Sequence, residues 1–262
     1  MRILALMSSY RKRGNTARIV KMIEAEMQAL AARRSEPLAF DTLYLGHMDI
    51  EFCRGCRTCF DHGEERCPLK DHVPAIRAEI DAADGVILAS PVYVDDVNGI
   101  AKNWIDRLAY VCHRPAFAGK CAYLVATVAD SPTNHALRTM MIAFRTWGAH
   151  VVGQAGYKMG ALMPVDEAER RFGGETARVA AALFEAIADR DFLRPSFLAL
   201  MIFKIQQLSW QQTADQDSVD YAYWEDQGWF DPNSTFYIEH RANPVKVALA
   251  PFAGTVLARF VA

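Results

Sequence analysis

Cys53, Cys56, Cys59 and Cys67 fall in the spacing C-x2-C-x2-C-x7-C. Thiolates so spaced on a turn can converge on one soft metal centre, and a last one after a loop can complete a tetrahedral all-thiolate shell. On the residues alone, a four-iron cluster, a zinc ion and a set of free thiols are all open readings. Gly55 and Gly63 ease the bends such a loop needs, and Arg54, Arg57, Arg66 and Lys70 would soften the charge of a thiolate-bound centre. Cys112 and Cys121 fall instead in an expected helix and strand and read as core residues.

A second set, Ser9, Arg11, Gly14, Asn15 and Thr16, joins an apolar run (Ile3 to Met7) to a segment with Ile19, Val20, Met22, Ile23 and Met27 at helical spacing. A strand turning straight into a helix leaves unpaired N–H groups and the positive end of the helix dipole at the sheet edge, where anions bind. Asn15 or Thr16 would cap that helix, and the Arg11 fork suits phosphate oxygens; a solvated basic loop is the plainer alternative. A third set follows Gly85 to Ala89. Pro91 should end that strand, Val92 and Tyr93 offer backbone and a flat ring, and Asn98-Gly99 allows close approach to the next helix. A planar heterocycle suits that loop, although Tyr93 would serve equally as an ordinary packing residue.

The elements that must carry these sets alternate. Strands are expected at 3–7, 38–45, 85–89, 121–128 and 151–157, with helices from Asn15, over 71–83, 98–112 and 134–147, and from Asp166 to about Asp189. That order predicts an α/β protein with a doubly wound, five-stranded parallel sheet, which binds ligands where strand order reverses. A formal net charge of −2 without a long basic block argues against nucleic-acid binding. No stretch reads as a signal peptide or bilayer span, so the expected compartment is the cytoplasm. His47, His62, His72, His113 and His135 are scattered and read as surface or loop residues; Lys102, Asp106 and Arg107 read as pairing with one another or with a subunit.

Taken together, S-x-R-x-x-G-N-T at 9–16 and SPVYVDDVNGIAKNWIDR at 90–107 resemble the phosphate loop and isoalloxazine segment of the NAD(P)H-dependent FMN reductase branch of the flavodoxin-like superfamily. The cysteine motif resembles that of the iron-sulfur flavoproteins within this branch. The resemblance covers residues 1–190 and implies a flavodoxin-like, FMN-binding domain. Its cofactor-binding residues would be Ser9, Arg11, Gly14, Asn15, Thr16, Pro91, Val92, Tyr93, Asn98 and Gly99, with Cys53, Cys56, Cys59 and Cys67 as ligands if a [4Fe-4S] cluster is held. It further implies an oxidoreductase reduced by NAD(P)H or a ferredoxin-like donor, a small-molecule or protein acceptor, and a homodimer or larger oligomer. No catalytic acid or nucleophile is evident, and a flavin reductase needs none. Relatives carry a glycine-bearing loop after the fourth strand, whereas this chain has Ala129, Asp130, Ser131 and Pro132. The rival reading is therefore a non-enzymatic scaffold acting through its tail. Residues 191–262 form a mainly helical, aromatic-rich extension, including 192–212 and 244–262 as apolar helices. It would pack on the core or a subunit, lie on a membrane surface, or act as a lid with Trp224 or Trp229 near the flavin.

Overall fold

In β1 (Arg2–Met7), Ile3, Ala5 and Met7 point to one side and Leu4 and Leu6 to the other, and all five are buried. That two-sided burial is what an uninterrupted apolar run demands, and it places β1 in the middle of a sheet. The computed structural model describes residues 1–189, 193–212 and 215–261. Its sheet runs β2-β1-β3-β5-β6, parallel throughout, with β2 at Ala39–Tyr44, β3 at Gly85–Tyr93, β5 at Cys121–Val128 and β6 at His150–Lys158. On one face lie α1 (Asn15–Arg34) and α6 (Val165–Ala188). On the other lie α3 (Val73–Asp81), α4 (Gly99–Arg107) and α5 (Asn134–Thr146); the short α2 (Thr58–Asp61) belongs to the cysteine segment. The five parallel strands are those expected, and the fold is flavodoxin-like.

Two expectations fail locally. Pro91 does not end β3: the strand continues to Tyr93 and folds back as β4 (Asp96–Val97), an additional two-residue antiparallel strand. The missing proline N–H costs nothing there. Ala89 faces β1, accepting from the Ser8 N–H at 3.0 Å, so Pro91 faces the same side two residues on, after β1 has ended. The helix expected over 98–112 stops at Arg107 and continues as a 3-10 turn over Ala109–Cys112.

The C-terminal extension adds α7 (Phe197–Gln211), α8 (Val219–Asp226) and α9 (Pro244–Val261). Ser196 and Ser218 start α7 and α8 by accepting from the N–H groups of Ala199 and Tyr221. Phe203, Trp224 and Trp229 form a core of their own, edged by Trp210, Tyr223, Phe230, Phe236 and Tyr237. Gln207, fully buried, donates to the Trp229 carbonyl at 2.6 Å and fixes the aromatic turn against α7. Trp224 and Trp229 are therefore core residues rather than a lid. Phe192, the 190/191 boundary, Ala262 and the Arg259 side chain lie outside what is described. Among the described residues no helix is long and apolar enough to cross a membrane.

Candidate functional site

Strand order reverses between β1 and β3, and their pairing ends at Met7 opposite Ala89, where β1 stops and β3 runs on to Tyr93. Two loops leave that edge. The first turns at Gly14, which precedes α1 with no side-chain cap and no acid in the first turn. The leading N–H groups of α1 therefore keep their positive end for an external anion. Ser9 is buried and its Oγ accepts from the Arg11 N–H at 3.1 Å, which leaves the hydroxyl proton to donate outward. Among the described residues the exposed Arg11 guanidinium has no acidic partner.

The expected capping by Asn15 or Thr16 does not occur. The Asn15 amide donates to the carbonyls of Met159 and Gly160 (3.4 and 3.1 Å) and its Oδ1 accepts from the Met163 N–H at 3.0 Å. Its side chain thus holds the loop after β6, and only its backbone is left for an anion. Thr16 is buried, with its hydroxyl 2.6 Å from that of Thr127 on β5. Both belong to the loop by their place in the motif, but their side chains brace the strands and loop behind it.

The second loop is the β3–β4 hairpin. Val94 and Asp95 both take positive φ, 50° and 65°, the pair that a two-residue turn matched to strand twist requires. A β-branched residue is strained there, and Val94 is fully exposed at the tip. Tyr93 stands beside it, 57% exposed, while Val92 is buried in the core. Asn98 is not a surface group: Oδ1 caps α4 by accepting from the Ala101 N–H (3.1 Å), Nδ2 donates to the Ser8 carbonyl (2.9 Å), and its N–H reaches Ser90 Oγ (3.3 Å). It stitches the two loops together, a positioning role. At Gly99 an added Cβ would meet nothing within 4 Å, so the start of α4 faces open space. An uncapped helix start with a phosphate fork on one loop, and an exposed ring and open cradle on the other, fit a flavin mononucleotide.

The loop after β5 closes the third side, with residues 129–132 exposed. Its missing glycine has a counterpart one strand away. A Cβ on Gly156 would stand 2.0 Å from Thr133 Oγ1 and 2.8 Å from Thr133 Cβ, so this glycine lets the loop pack down on β6. Gly156→Ala is expected to cost about 1–3 kcal/mol by overpacking and to loosen the 129–133 loop, read by thermal unfolding and proteolysis of that loop.

The cysteine segment packs along α4, with the Cys53 N–H donating to Asn103 Oδ1 at 3.2 Å. All of Cys53, Cys56, Cys59 and Cys67 border one cavity of about 720 Å³, with Phe60 and Arg107 in its wall. All are free thiols, and among the described residues no three metal-ligating side chains stand close enough to hold an ion. The donor set is that of a soft metal; the sulfurs share a cavity without being drawn together. Hydrogen bonds from Thr58 push the Cys56 thiol down, while burial and the neighbouring Cys67 push Cys59 up. Three of the expected charge softeners are otherwise engaged, Arg54, Arg57 and Arg66 pairing with Glu51, Asp61 and Glu65, while Lys70 is exposed and borders the cavity. Arg107 is the cation that reaches sulfur, Nη2 lying 3.9 Å from Cys67 Sγ.

Arg107 also departs from its expected partners. Lys102 pairs with Asp106, whereas Arg107 turns inward to Asp71 and to the Glu51 carbonyl. A second buried network was not foreseen at all. Arg114 donates to Asp220 of α8 (2.5 Å), to the Cys59 carbonyl (2.5 Å) and to Glu64 (3.2 Å), with His113 Nδ1 2.8 Å from the same Asp220. It ties the C-terminal extension to the cysteine segment. An arginine and an acid far apart in sequence give no local signal, so only the fold reveals the pair.

Residues 1–161 match the family model described as NADPH-dependent FMN reductase. An iron-sulfur flavoprotein of Archaeoglobus fulgidus is 25% identical over 229 residues, covering 87% of this chain and 99% of that protein. One of Methanocaldococcus jannaschii is 33% identical over 107 residues, 41% of this chain and 51% of its own. Among solved structures, an oxidoreductase from Corynebacterium diphtheriae shares the fold at a TM-score of 0.52 and 20% identity, over 72% of this chain and 98% of its own.

Proposed function

The chain belongs to the NADPH-dependent FMN reductase family, and from that premise we propose which of its residues hold the cofactor and how electrons reach it. It is an FMN-dependent flavoprotein oxidoreductase. In our reading, the Ser9 hydroxyl, the Arg11 guanidinium and the N–H groups of Gly14, Asn15 and Thr16 hold the phosphate. Tyr93 and the backbone of Pro91 and Val92 lie along the ring, Gly99 leaves room for it, and Asn98 keeps the two loops in register. The side chains at 129–131 exclude water from the ring edge in place of a close backbone. FMN, when bound, supplies hydride acceptance and electron release, so the protein contributes orientation and electrostatics rather than an acid or a base.

The observation that carries this reading is the uncapped start of α1 at Gly14 beside Ser9 and Arg11, at the switch point of the sheet. Titration of apo-protein with FMN, followed by flavin fluorescence, tests it. Arg11→Ala is expected to weaken binding about 10–100-fold, the loss of one charge-assisted hydrogen bond, with unfolding unchanged. Equal affinity in the variant would remove Arg11 from the site.

The donor is NAD(P)H or a ferredoxin-like protein, and the acceptor a small molecule or a protein. We favour a [4Fe-4S] cluster on Cys53, Cys56, Cys59 and Cys67, supported by the donor set around one cavity and by relatives named as iron-sulfur flavoproteins. Such a cluster supplies one-electron transfer when present. Iron and acid-labile sulfide assays with Cys56→Ser decide it: loss of both with FMN retained supports the cluster, and their absence from anaerobically purified wild type rejects it. We further propose a homodimer or larger oligomer working in the cytoplasm, with 1–190 as the flavin domain and 191–262 as a separate extension.

A further inference from the structure

The exposed apolar surface of this protein is concentrated on two helices. Of the fifteen large hydrophobic side chains exposed among the described residues, eight belong to α7 and α9. On α9, Val245, Leu249, Phe252 and Val256 recur at helical spacing and form one stripe, with Phe252 72% exposed. On α7, Leu198 and Ile202 are exposed as well, while the opposite side, Leu200 and Phe203, is buried. The helices touch at backbone level: a Cβ on Gly254 would stand 2.9 Å from the Met201 carbonyl oxygen. Among the described residues of α9 the buried positions are Ala250, Gly254 and Ala258, so its apolar stripe lies on the side turned away from α7 and is an ordered row, not scattered apolar residues.

Its charge is one-sided. The chain carries 31 Asp and Glu in 262 residues, yet α7 and α9 contain none. Exposed Lys246 lies in the first turn of α9 and exposed Arg194 precedes α7. The Arg241 N–H donates to the Leu193 carbonyl at 2.7 Å, so the two helix starts and their cations share one end of the helix pair. The nearby acid Glu239 borders a separate pocket with Gly119 and Lys120.

We propose that the α7–α9 face docks on an anionic lipid bilayer, with its apolar stripe at the headgroup–acyl boundary and Arg194 and Lys246 among the headgroups. Apolar area alone would serve a second copy of the chain equally well; the absence of acids together with basic residues at one end selects a negatively charged surface. Among the described residues no helix is long and apolar enough to cross, and the proposed attachment is to the bilayer surface.

Flotation of the full chain with vesicles tests this. Wild type is expected to float with phosphatidylcholine–phosphatidylglycerol vesicles, to float much less with phosphatidylcholine alone, and to release in high salt. Lys246→Gln should lower partitioning about fivefold, the equivalent of about 1 kcal/mol per basic residue at a charged surface. Leu249→Glu/Phe252→Glu, confined to exposed positions, should abolish flotation while FMN content and circular dichroism stay unchanged. Failure of wild type to float with anionic vesicles overturns the proposal. So does a concentration-dependent dimer that the double substitution dissociates while vesicle binding is absent, which would assign the face to a second copy. Equal flotation on neutral and anionic vesicles would remove the electrostatic part and overturn it as stated.

Discussion

Asp71→Ala is expected to destabilise the protein by about 3–5 kcal/mol, because it strands a buried guanidinium without its counter-ion. The side chains of Arg107 and Asp71 are 4% and 0% exposed. The carboxylate also accepts from the Glu51 N–H at 2.8 Å and the Val73 N–H at 3.1 Å, while Arg107 donates to the Glu51 carbonyl at 2.9 Å. One ion pair thus pins both ends of the cysteine-bearing excursion between Glu51 and Val73 onto α4. Burial alone would oppose ionisation of Asp71, but hydrogen bonds from Arg107 and from the Val73 and Glu51 N–H groups outweigh it, holding the carboxyl below its ordinary range.

The sign of the pH dependence follows. A carboxyl whose folded pKa is depressed binds fewer protons folded than unfolded, so its stabilisation is complete above the unfolded value of about 4. It is lost as pH falls through the lower folded value. Urea unfolding of wild type should show this acid limb, and Asp71→Asn should flatten it while lowering stability at neutral pH. In the variant, Cys67, released from the Arg107 side of the clamp, should react faster with a thiol reagent. A cost under about 1 kcal/mol would reduce the pair to the standing of a surface ion pair.

How much of this was legible in the sequence depends on distance along the chain. The strands were readable because each carries its own evidence: Ile3 to Met7 and Gly85 to Ala89 are apolar on both faces, and β5 runs Cys121–Val128 as expected. The phosphate and ring loops were readable because their residues are local to one strand exit. Pro91 misled because its consequence depends on where the neighbouring strand stops, and β1 stops opposite Ala89, two residues before it. Asn15 and Thr16 misled for a similar reason. A cap and a brace look alike until the loop at 159–163 and Thr127 are in place. Arg107 pairs 36 residues away and Arg114 pairs 106 away, and periodicity and spacing report nothing on either. The aromatic tail announced that it must be covered, but its cover turned out to be its own residues, Phe203 against Trp224 and Trp229.

Asp220→Ala is the second large effect, again about 3–5 kcal/mol and roughly 10 °C in Tm for a chain of this size. Asp220 is the hub between α8 and the 3-10 turn that carries His113, and its side chain and that of Arg114 are 8% and 4% exposed. Trp224, fully buried, reinforces the contact by donating Nε1–H to the His113 carbonyl at 2.8 Å. Loss of the carboxylate leaves Arg114 charged and dry, still bonded to the Cys59 carbonyl and Glu64. The consequence should appear at the cysteine segment as well as in the tail: faster alkylation of Cys59 in the metal-free protein, with FMN affinity unchanged. The double variant Arg114→Met/Asp220→Leu separates the charge from the tether. Removing both ions should recover most of the stability lost by Asp220→Ala, since an apolar pair of similar volume substitutes well for a buried ion pair. The Cys59 carbonyl, however, loses its Arg114 donor, so about 1–3 kcal/mol should stay lost and alkylation should stay fast. If the double variant protects Cys59 as well as wild type does, the network holds the tail without steadying the cysteines. Slow alkylation in Asp220→Ala would lead to the same conclusion.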